Sequence, residues 1–264
     1  MENFFLNAKV LPKASDPDAL ILHPHAQRTG GNTMRRIVFA KVYGPERIYS
    51  RMYRRNPPVW KEVGDAELEG VRVVCDHFDF RGNPKVTRPL LPIAVLRHPL
   101  YRTVSLYHFV RRKKTHREHA LARDLALEPF YEAASAKNPR YYRNLQCRRI
   151  CGVDDARMAL EKIDASFLGV GYTEQLDEFV AALGQVFGWP ALDIRGAESD
   201  AERYEPEITP SFRERVLADN AEDLFLWETM RSGRLHALPS RAPKAEARTL
   251  LNRARQWAKG VMGR

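Results

Sequence analysis

The chain has 264 residues, 44% of them hydrophobic and 29% charged, with a net charge of +10. That is the composition of an ordinary globular protein with ample length for a core, and no run approaches the ~18 apolar residues of a membrane span. The positive balance favours anionic partners: nucleotide phosphates, acidic polysaccharide, nucleic acid or a membrane surface.

The charge is unevenly placed. Residues 231–264 carry nine Lys/Arg against the single acid Glu246, so the body is close to neutral. The start of the chain, Met1-Glu2-Asn3-Phe4-Phe5-Leu6, lacks a basic region followed by an apolar core, and a soluble, cytoplasmic protein is expected. Cys75, Cys147 and Cys151 cannot all pair with one another. Cys147 and Cys151 can share a helix face, but no His/Cys spacing completes a metal site. Reduced, buried thiols and no metal are the expectation.

In chain order, residues 1–17 read as a polar lead-in. Residues 19–22 form a short apolar run of strand length that breaks at Pro24. The chain then passes through Arg28-Thr29-Gly30-Gly31-Asn32-Thr33 and takes up helical spacing from Met34. A strand, a glycine turn and a helix start make an anion-binding device, because bare glycines admit a ligand to backbone N–H groups at the positive end of a helix dipole. Residues 43–69 give no clear pattern. Residues 71–75 are β-branched and read as a strand, with Asp76-His77-Phe78-Asp79-Phe80 behind it.

Residues 90–96 read as a buried strand delivering Arg97-His98-Pro99. Pro99 suits a first helical position, and Leu100, Val104, Tyr107 and Val110 recur at helical spacing. Cations at 111–114 close that helix where its dipole favours them. Helices are expected over 117–136 and 154–163, and a strand over 166–170. Thr173 is expected to cap a helix over 174–186, and Thr209-Pro210 to open helices reaching about 231. Strands separated by helices predict an α/β fold, a mostly parallel sheet flanked by helices on both faces with a helical C-terminal part. One domain is expected over 18–231, followed by a basic tail over 232–264 with a weakly amphipathic helix at 244–259. Ligands bind such sheets beyond the strand C-termini, where the loops at 28–33, 76–80 and 97–105 should meet.

The first loop is neither a Walker A motif nor Gly-x-Gly-x-x-Gly. Gln27-Arg28-Thr29-Gly30-Gly31-Asn32-Thr33 resembles the phosphosulfate loop of the carbohydrate branch of sulfotransferases that use 3′-phosphoadenosine 5′-phosphosulfate (PAPS), commonly Pro-Lys-Thr-Gly-Gly-Thr-Ser. Leu96-Arg97-His98-Pro99-Leu100-Tyr101-Arg102-Thr103-Val104-Ser105 resembles that family's Leu-Arg-Asp-Pro-x-x-Arg-x-x-Ser. Val74-Cys75-Asp76-His77-Phe78 resembles its strand ending in Gly-His-Phe. Two softer likenesses, at 144–152 and 168–175, extend the resemblance over 18–230.

The resemblance implies a P-loop-like α/β fold and metal-free transfer of a sulfuryl group from PAPS to an acceptor hydroxyl, on a neutral or anionic carbohydrate. It makes His77 the base, with Asp76 and Asp79 as other proton acceptors or orienters of the ring. Arg28, Thr29, Gly30, Gly31, Asn32 and Thr33 would hold the phosphosulfate, and Arg97 and Ser105 the 3′-phosphate. Arg28 stands where the family has lysine: it keeps the charge but is a poor proton donor. The basic tail would contact an anionic membrane or guide an anionic sugar, with no specific nucleic acid. The competing readings are a nucleic-acid or anionic-surface binding protein with a non-catalytic nucleotide site, resting on charge alone, and an ATP-dependent phosphotransferase, opposed by the missing Walker lysine.

Overall fold

The computed structural model describes residues 3–54, 58–194 and 202–237. Among them, residues 3–97 and 146–194 form one compact unit, and residues 98–145 and 202–237 another. The span 18–231 read as one domain runs through both. No helix among the described residues is long and apolar enough to cross a membrane. Of the basic tail, residues 238–264 lie outside the described residues, and with them the helix expected at 244–259.

The first unit is built on six strands: β1 (Phe4–Leu6), β2 (Leu20–Pro24), β3 (Ile48–Tyr49), β4 (Val73–Asp76), β5 (Leu90–Leu96) and β6 (Gly169–Tyr172). Their order across the sheet is β1-β6-β5-β2-β4-β3. Every pair is parallel except β1 with β6. The Leu/Ile/Val runs of β2 and β5 are almost wholly buried, as central strands covered on both faces require. Ile21, Val38, Phe39, Val73, Ile93, Phe179 and Leu183 form the centre of this unit's core. From β2 the chain goes to β3 and β4 on one side, then crosses to β5 on the other. The C-terminal end of β2 is therefore a topological switch point, the place where open α/β sheets leave a crevice for ligands.

Several elements differ from the sequence expectation. The lead-in is not a bare tail, because Phe4–Leu6 pairs antiparallel with β6. β2 runs on through Pro24 rather than ending before it. The strand expected at 166–170 lies instead at Gly169–Tyr172, because the helix Ala156–Ser166 continues to its threshold. Thr173 caps nothing: it is buried in a 3-10 turn, Thr173–Gln175, and the helix starts only at Leu176–Phe187. The helix expected over 117–136 is two, His119–Asp124 and Leu127–Lys137.

The second unit packs the helix Pro99–Arg112, with Pro99 in its first turn, through Leu100, Val104, Tyr107 and Val110 onto Phe130, Tyr131, Tyr142 and Phe212. Arg111 and Arg112 sit in its last turn, as the dipole argument expects. The helix Pro210–Asp219 is capped as anticipated, the Thr209 hydroxyl accepting from Phe212 N at 3.1 Å.

Candidate functional site

Behind β2 the chain turns sharply at residues 25–30 and enters a helical stretch in three parts: Gly31–Thr33, a π turn Met34–Phe39, and Ala40–Tyr43. Two residues in the turn, Arg28 (φ +71°) and Gly30 (φ +74°), have left-handed backbone. Glycine takes that conformation freely, whereas a non-glycine residue there costs about 1 kcal/mol, a strain that concentrates at functional loops. The Thr29 hydroxyl donates to Ala26 O at 2.9 Å, so it braces the turn. Gly31 is needed for a different reason: a Cβ there would lie 2.0 Å from Cδ2 of the His25 ring. The first amides of the helical stretch thus sit directly over an imidazole.

Arg97, at the end of β5, is buried beside this loop. Its Nη1 donates to Arg28 O at 3.3 Å. Its main chain is held from both sides by Gln146, which accepts from Arg97 N and donates to Arg97 O, each at 2.9 Å. The structure thereby brings Arg97 to the loop of residues 28–33. Ser105 lies in the second unit, buried on the helix Pro99–Arg112.

His77 follows β4, next to β2. Its Nδ1 lies 3.1 Å from His25 O and its ring 4.2 Å from the His25 ring. A carbonyl only accepts, so Nδ1 carries the proton and Nε2 of the neutral ring keeps its lone pair. The ring is exposed at its outer edge, yet the packing behind it strips hydration and lowers its pKa. Asp76 does not grip the imidazole: its two oxygens accept from the backbone N–H groups of His77 and Arg51. Asp79 is engaged by Arg149. Of the three proton acceptors read from the sequence, the two carboxylates already accept from backbone N–H groups or from Arg149, whereas His77 is engaged through Nδ1.

Two features escaped the sequence reading. The first is Arg35, 5% exposed in the π turn. Its Nη2 donates to Asn32 Oδ1 at 2.7 Å and its Nη1 lies 3.5 Å from Ser50 Oγ, both neutral groups. Its Nε is buried without a partner, and among the described residues it forms no ion pair. A buried guanidinium without counter-charge is costly, and it gives the loop a cationic flank. The second is a cluster the sequence reading did not assign. Parallel pairing sets His23 opposite Cys75, and alternation then puts His25 on the same face; the three side chains are buried with their ligand atoms within 4.8 Å of one another. Burial lowers the pKa of His23 to about 4, lowers that of His25 well below its usual value, and pushes the Cys75 thiol up to about 12.

The arrangement can hold an anion over the loop amides, with Arg35 and Arg97 as buried cations and the His77 lone pair at its margin. No protein-family model matches the chain, and no curated protein matches it.

Proposed function

We propose that the protein is a sulfotransferase of P-loop-like fold that uses PAPS as sulfuryl donor and a hydroxyl group, most plainly one on a carbohydrate, as acceptor. The observation that carries this reading is the contact of Arg97 with the Arg28 carbonyl, which joins two motifs 69 residues apart in one place at the switch point of the sheet. The residues suit the cofactor. The start of the helical stretch offers backbone N–H groups to an anion, and the unpartnered Arg35 Nε is a buried donor in want of an acceptor.

Bound PAPS supplies a sulfuryl group whose bond to the phosphate oxygen breaks as a bond to the acceptor oxygen forms. His77 Nε2 takes the acceptor's proton, its tautomer fixed by His25 O. The N–H groups of residues 29–33 and the guanidinium groups of Arg28 and Arg35 stabilise the charge left on the phosphate. Arg28 holds charge there without giving up a proton. Arg97 holds the 3′-phosphate, its main chain locked by Gln146.

A thermal-shift comparison tests the donor. Adenosine 3′,5′-bisphosphate should stabilise the protein without magnesium; stabilisation by ATP with magnesium alone would overturn the reading. Transfer of radiolabel from PAPS to polysaccharide, lipid and phenol acceptors then identifies the acceptor class.

Arg97→Ala should weaken bisphosphate binding by about 10- to 100-fold, the loss of one or two charge-assisted hydrogen bonds. A ligand lacking the 3′-phosphate should lose much less, and equal losses would place the 3′-phosphate elsewhere. Arg35→Gln carries a sharper signature. Removing an unpaired buried charge should leave the melting temperature unchanged or raise it, while bisphosphate affinity falls about tenfold or more. A lower melting temperature with unchanged affinity would make Arg35 structural.

A further inference from the structure

The cluster beneath the loop has no part in the reaction proposed above, and its chemistry stands apart from it. Three observations bear on what it does. First, His23 Nδ1 lies 3.3 Å from Ile93 O on the neighbouring strand. The carbonyl fixes the proton on Nδ1, so Nε2 presents its lone pair inward, and this atom is buried without a partner. Second, His25 Nδ1 lies 3.9 Å from Cys75 Sγ, close to the edge length of a metal's coordination polyhedron. Third, a metal-bound histidine characteristically gives its other N–H to a backbone carbonyl, the contact His23 already makes.

We propose that His23 Nε2, His25 Nδ1 and Cys75 Sγ form a buried site for one thiophilic d10 cation, zinc(II) or copper(I). Imidazole and thiolate together are the donor set those ions favour over magnesium or calcium, which take oxygen. Binding replaces the Cys75 S–H bond by a metal–sulfur bond, and the thiol proton goes to solvent. The electrostatics bear on which ion fits. Arg35 lies near enough to depress the proton affinity of both histidines, and Asp76 acts on Cys75 with the opposite sign. With the thiolate, copper(I) leaves the ligand set neutral and zinc(II) leaves it with one positive charge. The ion would be structural: it ties β2 to β4 just below Gly31, and its three ligand residues are all buried.

The test uses the full chain free of any polyhistidine tag, stripped with a chelator and then titrated with zinc(II), or with copper(I) under anaerobic conditions. The expected result is uptake of about one equivalent and a midpoint of thermal unfolding raised by roughly 5–10 °C at a large excess over Kd. The two arms tell which ion is preferred. Cobalt(II), as a spectroscopic stand-in, should give a thiolate charge-transfer band and tetrahedral d–d bands. Cys75→Ala should abolish that band while Cys147→Ala and Cys151→Ala keep it. No uptake and no thermal shift with either ion in the unaltered chain would overturn the proposal, however the variants fold. So would a charge-transfer band that survives Cys75→Ala. Loss of bisphosphate binding would not bear on it, because the cluster's ligands are judged by metal alone.

Discussion

His77→Ala should cut sulfuryl transfer by about 10²- to 10⁴-fold, the usual contribution of a positioned general base, while adenosine 3′,5′-bisphosphate still binds. The expectation follows from the two sides of the ring. One side is tied through Nδ1 to the His25 carbonyl just after β2, and the other keeps a lone pair at an exposed edge. The neighbouring carboxylates cannot readily take over. Asp76 is held in place by the N–H groups of His77 and Arg51, and Asp79 is paired with Arg149. Bisphosphate binding is the control, because His77 is placed at the acceptor side and not among the residues that hold the donor's phosphates. Transfer from labelled PAPS measured beside equilibrium binding separates the two. Turnover within a few-fold of the unaltered protein would move the base to another residue.

Gly31→Ala should damage both stability and donor binding. The new Cβ would meet the His25 ring at 2.0 Å from Cδ2 and 2.3 Å from Nε2, far inside van der Waals contact. The ring cannot swing aside, since it is stacked on His23 at 5.2 Å and lies 4.2 Å from His77. The loop must lift instead. Overpacking of this kind costs about 1–3 kcal/mol, a fall in melting temperature of roughly 2–12 °C. A lifted loop should weaken bisphosphate by at least about tenfold, because N–H donors misplaced by an ångström no longer converge. A second change, His25→Ala, opens the space below, so the double variant should recover much of the binding lost in Gly31→Ala. Such coupling is the mark of direct contact. If Gly31→Ala melts and binds like the unaltered protein, the packing described for the loop is wrong.

The sequence announced what rests on local pattern. β5 was legible to the residue, Leu90–Leu96, because a short apolar run with β-branched members reads as a buried strand despite Pro92 near its start. The turn at 28–33 was legible because two glycines between a strand and a helical repeat serve few other purposes. What depends on partners distant in the chain was not legible. Glycines at 169 and 171 weaken any strand signal, yet β6 needs them, since a side chain at 171 would collide with Phe179 and one at 169 would crowd Leu6, Phe179 and the Phe5 carbonyl. The metal-like cluster exists only through the register of β2 on β4, which no spacing within one segment reveals. Arg35 reads as one more solvated helix cation. Only the packing of the π turn shows that it is buried beside Asn32 and Ser50.

The hydrogen bond from His77 to position 25 goes to a peptide oxygen, not to a side chain. Every amino acid carries that oxygen. A substitution at position 25 can therefore alter what lies under the loop, or abolish the thiol–imidazole cluster, without changing which nitrogen of residue 77 faces outward. The tautomer of the base is thus set by the path of the backbone and not by the side chain carried at position 25.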